Sequence, residues 1–566
     1  MTLFKTKFFY ILVLAVVLCN CKSEQKHEFG STISINTEDI QNGKLIFEQK
    51  CSPCHNFKQD AIGPNLSGIT KEVNAKWIKE FIKNPFKMVS KNDARAKVLK
   101  QKYKIYMPGF PDFSEKEYEE LLSYMNSYTE KAVSNLNNLK NSMDNPIIDT
   151  LIYSDTKANI EFVAQVPASG KNPSLARINK LECTRNSGRL FINDLRGMLY
   201  EIKDSQPKLY MRISEYHDNF IHEPGLGTGF GSFAFHPDFE KNGLFYTSHS
   251  EKPEINKADF PLPDSIPTKL QWVVKEWRSE DTKSPNFKGS IREILRIDFV
   301  TIMHGIQEIA FNPYSSKNDP DYGMLYIGVG DGGAVVQGFP KIALHGGAQV
   351  WGTILRINPK ANTSENGNYG IPTDNPFINT KNKKGEIWAS GLRNPNRISW
   401  NAKGQMFASD IGHKVTEEVN LIEPGKFYGW PIREGKFVVD PFGNQSLAYP
   451  LPKNDVDYAV TYPVIQYDHD DGTAISGGFF SNRAPFKGKY IFGDIPEGIV
   501  YIADLSKTNS DQRNIKKLHL VYKGKQTDFG QLTKKTRIDL RLGQDCDGNI
   551  YMFTKADGKI YKIKSE

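Results

Sequence analysis

The fold follows from one recurring pattern, whose clearest copy is Ser232-Phe-Ala-Phe-His-Pro-Asp-Phe-Glu-Lys-Asn-Gly-Leu-Phe-Tyr246. An apolar strand leads into a polar turn that ends in glycine, and an aromatic-rich strand follows the turn. The pattern occurs at Arg177–Phe191, Ser232–Tyr246, Glu308–Tyr326, Arg397–Phe407, Gly478–Phe492 and Arg541–Phe553. One such unit cannot bury its apolar face alone, so the copies must pack against one another. A ring of four-stranded sheets meets this requirement, and we predict an all-β six-bladed propeller over residues 159–566.

Length and composition indicate several domains. The chain has 566 residues, of which 39% are hydrophobic and 24% charged, so it can form large cores and is not disordered over most of its length. The net charge is +8 and is not gathered into basic runs, which argues against nucleic acid as a partner.

The first residues are predicted to be a lipoprotein signal peptide, residues 1–21. Lys5 and Lys7 precede an apolar run, Phe8–Leu18, that is too short to span a bilayer. The following Leu18-Cys-Asn-Cys21 is similar to a bacterial lipobox, in which Cys21 fits better than Cys19. We expect a lipid anchor at Cys21 and a location on the periplasmic side of a bacterial membrane or at the cell surface. Plain secretion is the alternative.

Residues 37–130 are predicted to form a small all-α domain that carries haem c. In Cys51-Ser-Pro-Cys54-His55, two thiols can add to the vinyl groups of haem, and the imidazole can bind its iron. A zinc knuckle would need a second ligand pair, and a redox dithiol would not need His55. The segment resembles a class I cytochrome c over its whole length, which implies an electron carrier.

The second axial ligand of the iron is expected to be a methionine sulfur from a loop. We prefer Met107, in the run Tyr106–Phe110, and Met88 is the alternative in a Lys-rich stretch. The run Gly63-Pro-Asn-Leu66 resembles the loop that places a proline carbonyl against the imidazole of His55.

Longer motifs in the propeller segment resemble glucose/sorbosone dehydrogenases. They are Gly229–Phe239, His304–Pro313, Tyr326–Gly333, Gly352–Pro359, Glu386–Pro395, Glu417–Ile422 and Tyr428–Pro431, in the family's order. The resemblance implies a propeller that binds pyrroloquinoline quinone (PQQ) and Ca²⁺ and oxidises an aldose or a related alcohol.

The resemblance also implies roles for individual residues. His304 matches the family's proton acceptor, and imidazole can accept a hydroxyl proton near neutral pH. Arg393 and Asn394 match a catalytic pair over the cofactor, where a guanidinium can stabilise charge on the reduced quinone. An inter-blade salt bridge is the alternative role of Arg393.

Calcium is expected in a loop after this pair. The carbonyl oxygens of Gly412 and His413 and the carboxylate of Glu418 match the family's metal-binding loop, and Ca²⁺ prefers such oxygen ligands. Glu418 could instead be a carboxylate that links two blades.

The sequence departs from the family where PQQ carboxylates should bind. A glycine-rich run, Gly225–Gly231, replaces a glutamine, and Glu497 stands where arginines are expected. Arg483 is close to the expected cation but displaced by one position. We predict that Arg483, Arg397 or Arg541 compensates, and the alternative is that the domain binds a different ligand.

Together these features predict a lipid-anchored quinohaemoprotein dehydrogenase that passes electrons from a sugar or alcohol to haem and then to an external acceptor. A glycan- or protein-binding propeller tethered to a cytochrome is one alternative, and a calcium-dependent lactonase-type hydrolase is another. Electron transfer is favoured because neither alternative needs a haem.

Two features concern the whole chain. Residues 131–158 are predicted to be a linker, polar and Asn-rich at Ser134–Asn145. Cys183 and Cys546 occupy comparable places in the first and last repeats, which ring closure makes neighbours. They are predicted to form a disulfide, with two buried free thiols as the alternative.

Overall fold

A computed structural model of the chain describes residues 33–52, 55–57, 63–103, 107, 109–129, 142–143, 145–171, 174–225, 227–253, 257–505 and 514–564. The predicted signal peptide, with Cys19 and Cys21, lies outside these residues, as does Cys54. Within the ranges given, no helix has the length and apolar character needed to cross a bilayer.

The N-terminal part is a small helical bundle. Its helices are α1 (Thr37–Lys50), α2 (Ile69–Glu72), α3 (Ala75–Lys83), α4 (Pro85–Ser90), α5 (Ala94–Tyr103) and α6 (Glu115–Asn126). α6 begins with a capping box, in which the Ser114 hydroxyl accepts from the Glu117 N–H and the Glu117 carboxylate accepts from the Ser114 N–H. α1 packs on α6 because Gly43 has no Cβ, and one would collide with the Glu120 carbonyl oxygen.

The remainder is a β-propeller with separate four-stranded sheets. β1 (Tyr153–Gln165) comes first along the chain. The first separate sheet contains β2 (Ile178–Cys183), β3 (Leu190–Asp194), β4 (Met198–Lys203) and β5 (Gln206–Arg212). The second contains β6 (Phe230–Phe235), β7 (Leu244–Glu251), β8 (Leu270–Ser279) and β9 (Gly289–Phe299), with the short helix α7 (Phe239–Asn242) between its first two strands.

Two more four-stranded sheets follow. The third contains β10 (Glu308–Phe311), β11 (Leu325–Val329), β12 (Thr353–Ile357) and β13 (Ile387–Ser390). The fourth contains β14 (Pro395–Trp400), β15 (Met406–Asp410), β16 (Thr416–Ile422) and, after the hairpin of β17 (Arg433–Glu434) and β18 (Phe437–Val438), β19 (Ile465–Asp468).

The last eight strands of the chain form one nine-stranded sheet together with β1. They are β20 (Ile475–Phe480), β21 (Tyr490–Asp494), β22 (Val500–Ala503), β23 (Ile515–Tyr522), β24 (Lys525–Thr527) and, after helix α8 (Phe529–Thr533), β25 (Leu540–Gln544), β26 (Ile550–Thr554) and β27 (Lys559–Ile563). β1 pairs antiparallel with β27 and parallel with β23, so the start of the propeller is held by its end.

The repeats predicted from the sequence form the central hairpins. Each is an antiparallel pair: β2–β3, β6–β7, β10–β11, β14–β15, β20–β21 and β25–β26. The glycines that end their turns all have positive φ, between 66° and 79°, which explains why glycine recurs there. The first strands of successive hairpins contact one another, and β25 contacts β2. They therefore surround a common axis.

The second half of the predicted linker lies on the propeller. Met143 forms a β-bridge with Ala448, and Met143 and Ile147 pack against the apolar cluster that contains Phe437. β1 begins at Tyr153, before the predicted domain boundary at residue 159. Residues 131–141 and residue 144 of the predicted linker lie outside the described residues.

The disulfide between Cys183 and Cys546 is confirmed. Their Cα atoms are 5.8 Å apart, and the bond joins the end of β2 to the turn after β25, across 363 residues of sequence. The disulfide therefore closes the ring covalently, in addition to the pairing of β1 with β27.

Replacing Cys183 and Cys546 together by serine is expected to lower the free energy of unfolding of the propeller by on the order of 5 kcal/mol, because the long loop is no longer closed in the unfolded chain. Urea unfolding followed by tryptophan fluorescence measures the difference. A reductant should destabilise the wild type and leave the double variant unchanged. Alkylation of both thiols in unreduced, denatured wild type would contradict the assignment.

Candidate active site

A cavity of about 1740 Å³ lies at the end of the propeller where the first strands of the hairpins begin. Its wall includes residues at or just before the start of β2, β6, β10, β14, β20 and β25, such as Arg177, Gly227, Gln307, Asn394, Ala474 and Arg541. Lys50, Met107 and Phe110 of the helical bundle line the same cavity. The cavity is therefore shared between the bundle and the propeller.

His304 lies on this wall beside a buried carboxylate. Its backbone has φ 50°, an uncommon value for a residue other than glycine, in the loop before β10. Its Nδ1 is 2.6 Å from Oδ1 of Asp331. Asp331 is fully buried and also accepts hydrogen bonds from Gly333 N–H and from the Trp430 indole N–H, at 2.8 and 3.0 Å. These donors fix the carboxylate that orients the imidazole.

The electrostatics favour a neutral imidazole with its lone pair on Nε2. Burial and the Arg393 guanidinium lower the pKa of His304, and Asp331 only partly opposes them. Burial raises the pKa of Asp331, but His304 and Arg393 outweigh it, so this carboxyl stays ionised. Since a carboxylate can only accept, His304 Nδ1 carries the proton, and Nε2 is left as the proton acceptor.

Arg393 and Asn394 are brought to the same wall by Asp410, which ends β15. Its two carboxylate oxygens accept from the backbone N–H groups of Arg393 and Asn394, at 2.8 and 2.6 Å. The Arg393 guanidinium lies 5.4 Å from the centre of the Trp430 ring. Among the described residues, neither Arg393 Nε nor Asn394 Oδ1 has a hydrogen-bond partner, although both atoms are buried. Such polar atoms indicate a missing polar ligand.

The predicted calcium ligands do not assemble on the cavity wall. Gly412 lines the cavity, but its carbonyl oxygen accepts from Arg393 Nη1 at 2.6 Å. His413 and Glu418 are buried behind it, and Glu418 accepts from the backbone N–H of Gly435 and from the side chain of Asn420. The Arg393 guanidinium thus already binds the Gly412 carbonyl oxygen, one of the three predicted calcium ligands. The contacts of the described residues therefore do not fit the predicted set of calcium ligands, and calcium binding stays a prediction.

A group of cations lines another part of the wall. Arg397 and Arg541 both reach Asn179, through its backbone carbonyl at 2.8 Å and its side-chain oxygen at 3.3 Å. Burial, together with Arg397, lowers the pKa of Arg541 to about 10. Lys555 is 4% exposed, and its ammonium has no hydrogen bond or ion pair among the described residues. Burial and Arg541 place the pKa of Lys555 well below its ordinary range.

Arg483 does not join this group. It is exposed in the connection between β20 and β21, at the far end of these strands, and it does not line the cavity. The structure therefore places Arg397 and Arg541 at the wall, and not Arg483, because the start of a first strand faces the cavity and the hairpin turn faces away from it.

Asp331 and Lys555 were missed by the sequence analysis, although the sequence contains a signal for them. Charged residues recur at the end of the second strand of a repeat, or within two residues of it, as Asp194, Asp331, Asp410, Asp494 and Lys555. In an antiparallel hairpin this end lies beside the start of the first strand, and so beside the cavity.

The haem-binding residues lie at the cavity side of the bundle. His55 Nδ1 is 2.9 Å from the Pro64 carbonyl oxygen, so the contact expected for an iron-binding imidazole is present. Cys51 follows α1 and is buried, and Met107 packs against the core of the bundle while lining the cavity. Met88 lies on α4 and does not line it.

Polar contacts hold the bundle on the propeller. Glu48 of α1 accepts from Lys269 Nζ at 3.3 Å, and the Lys414 ammonium lies 4.7 Å from the centre of the Tyr103 ring. Lys50, next to Cys51, is drawn into the cavity, where burial and Arg177 lower its pKa. Lys50, directly before the predicted haem attachment motif, therefore lies on the cavity wall.

Comparison with known families agrees with this geometry. A family model described as Glucose / Sorbosone dehydrogenase matches residues 179–562, more than half of the chain. The chain belongs to this family. A second model, cytochrome c oxidase, cbb3-type, subunit III, matches residues 38–125 and implies haem c. The glucose/sorbosone dehydrogenase segment thus contains all the cavity-wall residues discussed above, except Arg177 and the residues of the bundle.

Individual relatives are distant. The HIPL2 protein of Arabidopsis thaliana is 29% identical over 386 residues, 59% of this chain and 53% of that protein. The aldose sugar dehydrogenase YliI of Escherichia coli (strain K12) is 28% identical over 200 residues, 34% of this chain and 47% of that protein. The chain thus spans about half the length of these curated relatives. A crystal structure of glucose dehydrogenase has a TM-score of 0.52 at 18% identity, covering 72% of this chain and 99% of that one, and shows the same fold.

Replacing Met107 by alanine is expected to change the visible spectrum and the reduction potential of the haem while leaving its covalent attachment intact, because the thioether ligand is lost. Absorption spectra of both oxidation states and a redox titration measure this. Met88→Ala is the matched control and should behave as wild type. A normal spectrum in Met107→Ala with a changed one in Met88→Ala would transfer the ligand to Met88.

Proposed function

We propose that this family member is a lipid-anchored quinohaemoprotein dehydrogenase, facing the periplasm or the cell surface, that oxidises an aldose or a related alcohol and passes the electrons to an external acceptor. One observation supports this most directly. A neutral His304 oriented by Asp331 lies on the wall of a cavity that Met107 of the cytochrome segment also lines. A proton acceptor and an electron acceptor thus share one site.

The residues of the cavity fit PQQ, which carries three carboxylates. The Lys555 ammonium forms no ion pair among the described residues, although Asp539 and Asp194 favour its charged form from nearby, and Arg541 and Arg397 lie on the same wall. An anion there would restore interactions that burial removes from Lys555 and Arg541, whereas Arg397 already binds Glu308. The unpartnered Arg393 Nε and Asn394 Oδ1 offer further polar contacts. When bound, PQQ would supply a two-electron acceptor for the hydride of the substrate.

The protein's own part in the reaction is proton transfer and charge stabilisation. The substrate hydroxyl is expected to lie against His304 Nε2, which takes its proton as the hydride leaves carbon. Asp331 stabilises the imidazolium that forms, as it holds Nδ1–H in place. Arg393, which is near enough to His304 to lower its pKa, would stabilise negative charge that develops in the site. The haem held by Cys51, Cys54, His55 and Met107 would supply a one-electron acceptor beside the cavity.

We propose six blades, with the nine-stranded sheet made of two of them. The runs β20–β23 and β25–β27 with β1 are each antiparallel, and a parallel contact between β1 and β23 joins them. The first strands contact one another in a closed series that includes β20 and β25 as separate members.

His304→Ala is expected to abolish substrate-driven reduction of the haem, because no other group accepts the hydroxyl proton at this position. Protein loaded with PQQ and Ca²⁺ is mixed with each of a panel of aldoses, and haem reduction is followed by stopped-flow absorption. The wild-type rate should not depend on protein concentration, since both sites are in one chain. His519→Ala, on β23, is the matched control. Full haem reduction in His304→Ala would contradict the role of His304, and no reduction in the wild type would leave the binding or hydrolase alternatives.

Activity should persist on the acid side of the ordinary imidazole pKa of 6.5, because the pKa of His304 is lowered and the base stays deprotonated there. The acid limb of a pH profile of kcat/KM tests this. Asp331→Asn removes the group that raises the His304 pKa, so the limb should move to still lower pH. The plateau should fall about 10²–10⁴-fold, as the imidazole loses its fixed tautomer. An acid limb at pH 7 or above would contradict the assignment.

Lys555→Met is expected to weaken PQQ binding about tenfold or more, because a cation for one carboxylate is lost. Quenching of tryptophan fluorescence during PQQ titration measures the dissociation constant. Lys403→Met, in the exposed turn between β14 and β15, is the control and should bind as wild type. Equal affinities of the two variants would place the carboxylates elsewhere.

A further inference from the structure

Two histidines and a glutamate meet in the second sheet, outside the residues that line the cavity. His249 and Glu251 lie on β7, and His217 lies in the segment between β5 and β6. One potential ligand atom of each residue lies within 4.8 Å of the others. In the part of the chain that the structure describes, this is the group with the composition and spacing of a metal site.

The nitrogen atoms of this group are not satisfied by the protein. His249 is fully buried, yet its Nδ1 has no hydrogen-bond partner among the described residues, and the same holds for the buried Nε2 of His217. The centres of the two rings are 5.0 Å apart, and their planes are inclined by 24°. A buried polar atom without a partner is costly, so two of them on neighbouring rings favour a ligand that both nitrogens can bind.

The carboxylate is placed as in known histidine–metal sites. His249 Nε2 is 2.8 Å from Glu251 Oε1, so the carboxylate fixes the tautomer and leaves Nδ1 with the lone pair. Burial lowers the pKa of His217 to about 3 and also lowers the pKa of His249, so both rings are neutral at pH 7. A neutral imidazole is the form that binds a metal ion.

Nearby charges do not leave the site strongly cationic. Arg296 is 2.8 Å from Glu251 and 2.8 Å from Glu293, and Lys275 is 2.7 Å from Glu293. Two carboxylates therefore match these two cations. Two imidazole nitrogens suit a divalent ion of the zinc type rather than Ca²⁺ or Mg²⁺, which prefer oxygen ligands.

We propose that His217 and His249, with Glu251 beside them, bind one divalent transition-metal ion of the zinc type. The ion would fasten the segment between β5 and β6 to the end of β7. The same segment ends at the cavity, where Arg177 donates to the carbonyl oxygens of Gly225 and Thr228, at 2.8 and 3.1 Å. The role is structural: the site anchors a loop of the cavity wall and takes no part in the redox reaction.

Metal analysis of the full-length protein tests the proposal. Protein treated with EDTA is dialysed against Zn²⁺ and then against metal-free buffer, and zinc is quantified by mass spectrometry against amino-acid analysis. We expect about one equivalent in the wild type and in the control His519→Gln, and about a tenth or less in His217→Gln and His249→Gln. Zn²⁺ should raise the Tm of the wild type and the control but not of these two variants. Full zinc retention in both variants, or none in the wild type, would overturn the proposal.

X-ray absorption at the zinc edge of the wild type gives a test that needs no variant. A ligand shell of nitrogen and oxygen at about 2.0–2.1 Å, with the scattering of two imidazole rings, is expected. A sulfur shell would assign the zinc to cysteine, and a shell without imidazole would assign it to other surface groups. Either result would overturn the proposal, even if the histidine variants did not fold.

Discussion

The carboxylate of Glu308 is the interaction on which the arrangement of the central strands depends. It is the first residue of β10, is 1% exposed, and binds Lys180 of β2 at 2.7 Å and Arg397 of β14 through its other oxygen. Removal of one partner from such a buried group would leave an uncompensated charge, at a cost of about 3–5 kcal/mol. Three first strands are thus set around the axis by charge, in addition to apolar packing between sheets.

Asn179 adds further hydrogen bonds to this network and lies on the cavity wall. Its side-chain N–H donates to the Gly231 carbonyl oxygen of β6 at 2.7 Å, and its oxygen atoms accept from Arg397 and Arg541. Asn179, Arg397 and Arg541 also line the cavity. The residues that fix the spacing of the strands therefore also line the cavity.

Charged groups also lie where the cytochrome segment meets the propeller. Lys50 comes directly before Cys51, and it enters a cavity wall that already contains Arg177 and Arg196. Glu223 and Asp539 offset part of this repulsion, and the contact of Glu48 with Lys269 adds an attraction at the edge. The bundle thus meets the propeller through groups next to the predicted haem motif.

The sequence by itself determined the local units. Turn glycines and strand patterns predicted all the central hairpins, because these features depend on neighbours along the chain. The resemblance to glucose/sorbosone dehydrogenases indicated His304, Arg393 and Asn394, which the structure places on the cavity wall. Cys183 and Cys546 were paired correctly from their places in the repeats, since ring closure is implied by the repeat itself.

The tertiary structure alone decided which side chains share the cavity. Asp331 lies 27 residues from the His304 that it orients, and Lys555 reaches the wall from the last hairpin. Arg541 lines the cavity and Arg483 does not, because they lie at opposite ends of their hairpins. The Gly412 carbonyl oxygen is taken by the Arg393 side chain, which no local pattern in the sequence indicates. Such contacts join residues far apart in sequence, and burial and charge in the folded ring select them rather than any local pattern.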